Sequence, residues 1–197
     1  MKKLFCAALV AVSSWLGAED ALPPARHEPA PAEEMCKLFR PGKLSEALPS
    51  GFASGLLTGG TAAAYNSMTI GWYTFGILWG KEVCTVYVHP DRFTWKFMEK
   101  EPVYTVSFYD TPAAEKALLE IFGRKSGRDA DKERLSGFTP VSVPGGGVAY
   151  LEAKAVIVCR QLAKVPFCDP AVQTVGGAGK TPHTQYIGEI LEVWVRK

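Results

Sequence analysis

Short β-branched and apolar runs, separated by turn residues, predict a chain built mainly from strands. We expect strands at 52–58 and 62–72, joined by a hairpin turn at Gly59-Gly60. The run V-C-T-V-Y-V at 83–88 predicts a further strand, which Pro90 ends. Strands therefore follow one another at short intervals, as in an antiparallel sheet.

Helical patterns interrupt these strands in the middle of the chain. Apolar residues recur at helical spacing in 92–100, and 113–122 is amphipathic. The other predicted elements are a helical turn at 44–48, a short helix capped by Asp129 and running through Arg134, and strands at 103–109, 148–163 and 186–195. Because helices and strands do not alternate regularly, the predicted fold class is mainly β with helical insertions, a closed or partly open antiparallel barrel.

The first residues differ from the rest of the chain. Lys2-Lys3 precede an apolar run at 4–16 and Gly17-Ala18 follow it, which predicts a signal peptide at 1–18. The run is shorter than the ~20 residues that span a bilayer, so we expect no stable membrane insertion. We predict an extended, mobile Pro/Ala-rich linker at 19–35 and a folded domain at 36–197. The leader favours export to the periplasm or the medium; the alternative is a cytoplasmic protein.

Charge and cysteine content argue against two classes of function. The formal net charge is +2 with no long basic run, so nucleic-acid binding is not expected. Without a Cys-x-x-Cys pair, a metal site is not expected either. Cys6 would leave with the leader, and the spacing of the four remaining cysteines selects no disulfide pairing: Cys36, Cys84, Cys159 and Cys168.

Small polar residues collect at the end of the second predicted strand, in N-S-M-T-I-G-W at 66–72. Asn66, Ser67, Met68 and Thr69 would line a bend, and Trp72 would place an indole just beyond it. Amide and hydroxyl groups beside a flat apolar ring suit a planar heterocycle, which needs edge hydrogen bonds and stacking. The alternative is a half-buried edge strand.

A second candidate segment is H-P-D-R-F-T at 89–94, where a strand ends and a helix begins. Arg92 and Thr94 fall in the first helical turn, where free backbone amides and the helix dipole favour an anion such as phosphate. In the alternative interpretation Asp91 merely caps the helix and Arg92 is solvated.

Two further segments complete the candidate set. In S-G-R-D-A-D-K at 126–132, Lys132 would point towards a cofactor, or the segment is an ordinary loop and cap with surface ion pairs. His183 begins H-T-Q-Y-I-G-E-I, which leads into the last strand, and a lone histidine there is more often a surface residue. No recognisable motif indicates a hydrolytic triad.

In this order the four segments resemble the flavin reductase-like family of FMN-binding split barrels. The resemblance covers about 48–195 and implies a Greek-key split β-barrel, a homodimer, and FMN near the dimer interface. By position, Asn66 and Trp72 would border the flavin, with the 67–69 backbone along its edge. Arg92 and Thr94 would take the phosphate side, and Lys132 and His183 would complete the pocket. The candidate contacts are Asn66, Ser67, Met68, Thr69, Trp72, Arg92, Thr94, Ser126, Arg128, Lys132 and His183.

The sequence departs from the family pattern at Asp91, where many relatives have Ser, and a carboxylate there repels a phosphate unless it turns outward or pairs with Arg92. The resemblance implies a flavin-dependent oxidoreductase passing electrons from NAD(P)H or a redox partner protein through FMN. The competing hypothesis is a non-catalytic exported binding module on the same barrel.

Overall fold

The computed structural model describes residues 21–51, 53–167 and 182–197. The predicted signal peptide at 1–18, together with Cys6 and Cys168, lies outside the described residues. The described residues form ten strands and five α-helices: α1 (Ala32–Leu38), β1 (Phe39–Pro41), α2 (Leu44–Ala47), β2 (Gly55–Thr61), β3 (Ala64–Ile70), β4 (Tyr73–Leu78), β5 (Lys81–Val88), α3 (Phe93–Lys100), β6 (Val103–Phe108), α4 (Pro112–Ala117), α5 (Lys132–Ser136), β7 (Pro140–Ser142), β8 (Val148–Tyr150), β9 (Ala155–Pro166) and β10 (Thr184–Arg196).

One antiparallel sheet contains most of the strands, in the order β3-β2-β6-β9-β10-β5-β4. The long strand β10 pairs with β9 and β5, and its far end pairs with β1. The β9–β10 pairing shifts register at Ile187/Gly188 and at Ile190/Glu192, and such bulges bend a sheet. Together with the β7–β8 hairpin and the inserted helices, this confirms the predicted mainly β split barrel.

Both faces of the central strands are buried, which explains their nearly continuous apolar sequence. In β9, Ala155, Ile157 and Cys159 face one core cluster, whereas Val156 and Val158 face another. The first cluster fills the barrel interior, and the second lies beneath the helices and the β7–β8 hairpin. The sheet is therefore a rigid support on which the connecting segments are held.

The hairpin turn predicted at Gly59-Gly60 is wrong. Strand β2 continues through Thr61, which pairs with Ala64, so the turn lies at 62–63. Both glycines are closely packed, Gly59 against α3 and Gly60 within the hairpin. A Cβ at Gly59 would lie 2.9 Å from Met98 Sδ, and one at Gly60 would lie 2.2 Å from the Ala64 carbonyl oxygen. Gly60 also has φ +110°, which L side chains rarely adopt.

Other elements also differ from the predicted ones. The strand expected at 148–163 is divided into β8 and β9, and α1, β1, β4 and β7 were not predicted. The helix expected at 113–122 becomes a π-helical turn after Ala117. The short helix before Gly137 is capped by Asp131 and not by Asp129, because Asp131 Oδ1 accepts a hydrogen bond from the Arg134 N–H at 2.9 Å.

The segment predicted to be a mobile linker makes specific contacts in the structure. We call residues 23–30 the N-terminal strap. The Ala25 N–H donates to the Ala63 carbonyl at 2.8 Å, and Ala30 forms a parallel bridge with Val141. Met35 of α1 is fully buried in the cluster beneath the helices. The ordered contacts thus begin upstream of the predicted boundary at residue 36.

Cys84 and Cys159 are buried free thiols, as expected from their place in apolar strands, and Cys36 is an exposed one. A hydrogen bond with Cys159, together with burial, raises the pKa of the Cys84 thiol well above its ordinary value, so this thiol stays protonated. Among the described residues, no helix has the length and apolar character needed to cross a bilayer.

Gly188 of β10 and Tyr104 of β6 are packed so closely that a side chain at 188 has no room. Tyr104 is fully buried and donates to the Cys84 carbonyl at 2.6 Å, and a Cβ at 188 would lie 2.4 Å from its hydroxyl oxygen. We expect Gly188→Ala to lower the free energy of unfolding by about 1–3 kcal/mol, as overpacking does. Urea unfolding measures the change. Gly76→Ala is the matched control in β4, with no atom within 4 Å of the new Cβ, and equal losses in both variants would contradict the packing argument.

Candidate functional site

Two adjoining cavities lie between β3, the start of α3 and the segment that leads into α5. The smaller one, of about 160 Å³, is called the basic cavity, and residues 122–128 form its outer wall. The larger one, of about 290 Å³, is called the strap cavity, because Pro23, Pro24 and Arg26 close one side of it. Eight predicted contact residues line the basic cavity: Asn66, Met68, Thr69, Arg92, Thr94, Ser126, Arg128 and Lys132.

The basic cavity carries a large excess of positive charge. Asp91 is the single carboxylate among its lining residues, and its side chain is 89% exposed and lies 3.6 Å from the His89 imidazole. The repulsion expected from Asp91 is therefore reduced, because this carboxylate faces solvent. The lining cations are Arg92, Arg124, Lys125, Arg128 and Lys132. Such a concentration of positive charge favours an anion with several oxygen atoms.

Arg92 occupies the N-cap position of α3, and its side chain makes no capping hydrogen bond. The alternative in which Asp91 caps this helix is therefore not observed. Arg128 approaches the same point from the facing segment: its guanidinium donates to the Asp91 carbonyl at 3.2 Å and lies 5.1 Å from the centre of the Phe93 ring. These contacts fix the position of one of the three guanidinium groups that line the cavity.

Lys132 is a buried cation in the wall shared by the two cavities. Its ammonium group donates to the Ser67 carbonyl at 2.8 Å and to the Phe122 carbonyl at 3.5 Å. Burial is the main reason that the pKa of Lys132 falls to about 8; Glu133 opposes this shift, and the charge of Arg92 adds a smaller lowering. Near neutral pH the site thus contains a charged amine whose protonation responds to a nearby anion.

Asn66 separates the two cavities and is held in place from both sides. Its amide donates to the Thr94 hydroxyl at 2.7 Å and to the Ser67 carbonyl at 3.3 Å. On the other side, a Cβ at Gly127 would lie only 1.9 Å from Asn66 Oδ1, so Gly127 is required for the close approach of this loop. Thr94 lines the cavity, but it is buried and its oxygen already accepts from Asn66.

The Ser67 side chain points away from the cavities. Its hydroxyl lies 2.8 Å from the hydroxyls of both Thr58 and Tyr150. The Tyr150 hydroxyl in turn donates to Glu133 at 2.7 Å. This buried chain of hydrogen bonds connects β3 to α5, so Ser67 contributes its backbone carbonyl to the site.

Trp72 and His183 contact each other, and neither lines the basic cavity. Their ring centres are 4.8 Å apart, and His183 lies 5.1 Å from the ring of His89. Trp72 is 61% exposed. The structure therefore places these two predicted residues in a separate aromatic group at the end of the sheet, next to the strand end that precedes Arg92.

The strap contributes residues that no sequence motif marked. The Arg26 guanidinium donates to the carbonyls of Gly127 and Arg128 at 3.4 and 3.1 Å, and His27 Nε2 lies 2.8 Å from Asp131 Oδ1. The ligand atoms of His27, Asp131 and Glu133 lie within 4.8 Å of one another, which makes these residues a candidate donor set for a cation, whereas the sequence predicts no metal site. Because His27 is more than 100 positions from Asp131 and Glu133, no local spacing could have revealed the group.

Comparison with known proteins identifies the family. The model of the flavin reductase like domain matches residues 50–197. The chain belongs to the flavin reductase-like family. Its role is accordingly a flavin-related redox role. The strap and α1 lie upstream of the residues that the family model matches.

Solved structures confirm the fold of this family member. The FMN-binding domain of a flavin reductase-like enzyme from Shewanella baltica OS155 has a TM-score of 0.60 at 17% identity, covering 80% of this chain and 76% of that one. Flavoredoxin of Desulfovibrio vulgaris (Miyazaki F) has a TM-score of 0.59 at 20% identity, covering 78% and 75%. An FMN-binding protein from Thermus thermophilus has a TM-score of 0.56 at 21% identity, covering 79% and 80%. No curated protein sequence matches the chain.

The lowered pKa of Lys132 makes a contribution to stability that depends on pH. Between pH 8 and about 10.5 the unfolded lysine holds a proton that the folded one has lost, so the free energy of unfolding should rise with pH across this window. Relative to Lys132→Met, we expect the wild-type protein to gain up to roughly 3 kcal/mol between pH 7.5 and 10.5, as measured by urea unfolding. Lys100→Met, at an exposed position, is the control. A constant difference between wild type and Lys132→Met would contradict the buried, proton-losing amine.

Proposed function

We propose that the protein binds FMN with its phosphate in the basic cavity and passes electrons between a donor and an acceptor. The excess of cations around this cavity is the observation that supports the assignment. The cavity is smaller than the ~300 Å³ at which ligand pockets usually begin, so it holds one end of the cofactor. Its charge favours the phosphate end.

Residues of the site provide binding groups for a phosphate on both sides. Arg92 approaches from α3, and Arg128 and Ser126 approach from the facing loop. The Ser126 hydroxyl accepts from the Arg128 N–H at 3.2 Å, which holds the loop in a turn. The lack of a side chain at Gly127 allows this loop to approach β3, so the residues present fit an anionic cofactor.

Bound FMN would supply the two-electron redox chemistry, and the chain would supply charge and access. Lys132 places a desolvated ammonium beside the cavity, where it stabilises negative charge on a bound group. We propose NAD(P)H or a redox protein as the electron donor. A non-catalytic binding module on the same barrel would bind a ligand in the same place without electron transfer.

A homodimer is part of this proposal. The strand β4 lies at an edge of the sheet, and exposed apolar side chains lie on it and at its two ends: Trp72, Ile77 and Trp79 at 61%, 71% and 72% exposure. Exposed apolar groups at a sheet edge are typical of an association surface. Sedimentation velocity should show a dimer that Trp79→Glu dissociates and that the control Leu135→Glu, at an exposed position in α5, leaves intact. If both variants dissociate the dimer, or if neither does, the interface lies elsewhere.

Export is proposed from the leader at 1–18. Mass spectrometry of the mature N-terminus tests it, and an intact Met1 in fractionated cells would support the cytoplasmic alternative.

The assignment of the phosphate predicts a specific loss of affinity. Arg92→Ala removes a cation whose side chain makes no capping contact in the structure. We expect FMN affinity to fall about 10- to 100-fold, the equivalent of one charge-assisted hydrogen bond. Riboflavin has no phosphate and should lose less than threefold by the same flavin-fluorescence titration. Arg40→Ala, in an exposed ion pair with Glu46, is the control.

A comparable loss for FMN and riboflavin in Arg92→Ala would contradict the placement of the phosphate. The redox function itself is tested by the visible spectrum of purified protein with added FMN, and by oxidation of NADH and NADPH with FMN, FAD and riboflavin as acceptors. Colourless protein that fails to retain FMN would instead support the non-catalytic binding module.

A further inference from the structure

The strap cavity has no role in the binding of FMN phosphate described above. Its walls contain three aromatic rings, Tyr65, Phe93 and Phe97, together with the apolar rings of Pro23 and Pro24. The Tyr65 hydroxyl donates to the His27 carbonyl at 3.2 Å, which attaches this ring to the strap. Flat apolar walls of this kind suit a planar ring system.

The same cavity carries positive charge. Arg26, Arg128 and Lys132 line it, against the single carboxylate of Glu133. The Glu133 carboxylate already accepts a hydrogen bond from Tyr150 at 2.7 Å, so part of its hydrogen-bonding capacity is used. A ligand that is both planar and anionic therefore matches the lining better than a neutral ring or a simple anion.

The position of the cavity further limits the ligand. It shares Asn66, Phe93, Gly127, Arg128 and Lys132 with the basic cavity, so the two spaces lie on opposite sides of the Asn66–Gly127 contact. Its volume of about 290 Å³ is near the lower end for ligand pockets. A group of this size that contains a planar ring and a phosphate corresponds to one half of a dinucleotide.

We propose that the strap cavity binds the adenosine 5′-phosphate half of a dinucleotide, either FAD or NAD(P)H. The adenine ring lies among the aromatic and proline side chains, and its phosphate lies towards Arg128, at the boundary with the basic cavity. This assignment rests on the proposed function, because the other half of the dinucleotide lies at the flavin site. The strap is outside the family-matched residues, so Pro23, Pro24 and Arg26 add a wall that the matched domain does not itself supply.

Binding of adenosine 5′-phosphate (AMP) to the full-length protein, measured by calorimetry, tests the proposal. We expect AMP to bind wild-type protein at least tenfold more tightly than adenosine or ribose 5-phosphate, because each of these has only one of the two recognised groups. Ala130→Trp fills the strap cavity from its half-buried wall and should weaken AMP at least tenfold while changing FMN affinity less than twofold. Ala163→Trp, a half-buried position on β9, is the matched control and should change neither.

Two further measurements distinguish the sources of the adenosine phosphate. If the source is FAD, wild-type protein binds FAD more tightly than FMN and Ala130→Trp abolishes the difference. If it is NAD(P)H, AMP inhibits the oxidation of NADH or NADPH competitively in FMN-loaded wild-type protein but not in Ala130→Trp. Either result supports the proposal.

Absence of AMP binding to wild-type protein overturns the proposal, and so does equal AMP binding by wild type and Ala130→Trp. AMP binding that survives Ala130→Trp but is lost in Arg92→Ala places the phosphate in the basic cavity and also overturns it. If Ala130→Trp fails to bind FMN and is thus misfolded, Arg26→Ala replaces it in the same comparison. Wild-type protein that binds AMP but not FMN supports this assignment and contradicts the proposed function alone.

Discussion

The approach of Gly127 to the side chain of Asn66 is the contact on which the site depends. Asn66 lies on β3, which is fixed by pairing with β2, whereas Gly127 belongs to a loop between two helices. Because a Cβ at 127 would lie 1.9 Å from the Asn66 oxygen, only glycine permits this distance. The loop then presents Ser126 and Arg128 to α3, and one backbone contact thereby creates two cavities with a common wall.

A second constraint is the burial of Lys132 next to this contact. The ammonium group is satisfied by backbone carbonyls, and it has no carboxylate within 4 Å among the described residues. A buried amine held in this way keeps a strong electrostatic influence, since little water screens it. The cost appears in its lowered pKa, and a bound anion would reduce that cost. Stability and ligand affinity are therefore linked through the same proton.

Much of the site could be predicted from the sequence because its residues lie in short segments at the ends of regular elements. Asn66, Arg92 and Lys132 occur in such segments, and the sheet brings these ends together. The placement of Trp72 and His183 was not predictable in this way, since it depends on where the last strand begins relative to β4 and β5. The glycines at 59 and 60 misled the prediction of the hairpin because close packing and turn formation select the same residue.

The strap was missed for a different reason. Its Pro/Ala-rich composition is typical of linkers, and its contacts are with residues between 38 and more than 100 positions away, which local patterns do not encode. Strand pairing and helical periodicity follow local rules, whereas the docking of an irregular segment depends on the completed surface beneath it. Composition alone therefore does not indicate the contacts that residues 23–30 make.

The distance in sequence between His27 and Asp131 also affects the order in which the molecule can assemble. During synthesis the strap emerges before the strands of the barrel, and the partner of His27 is 104 positions further along the chain. Contacts of such long separation form late because a large loop must close before they contribute. The barrel can then close before the wall of the strap cavity is in place. A protein that binds the N-terminal segment would keep this cavity open until that protein dissociates.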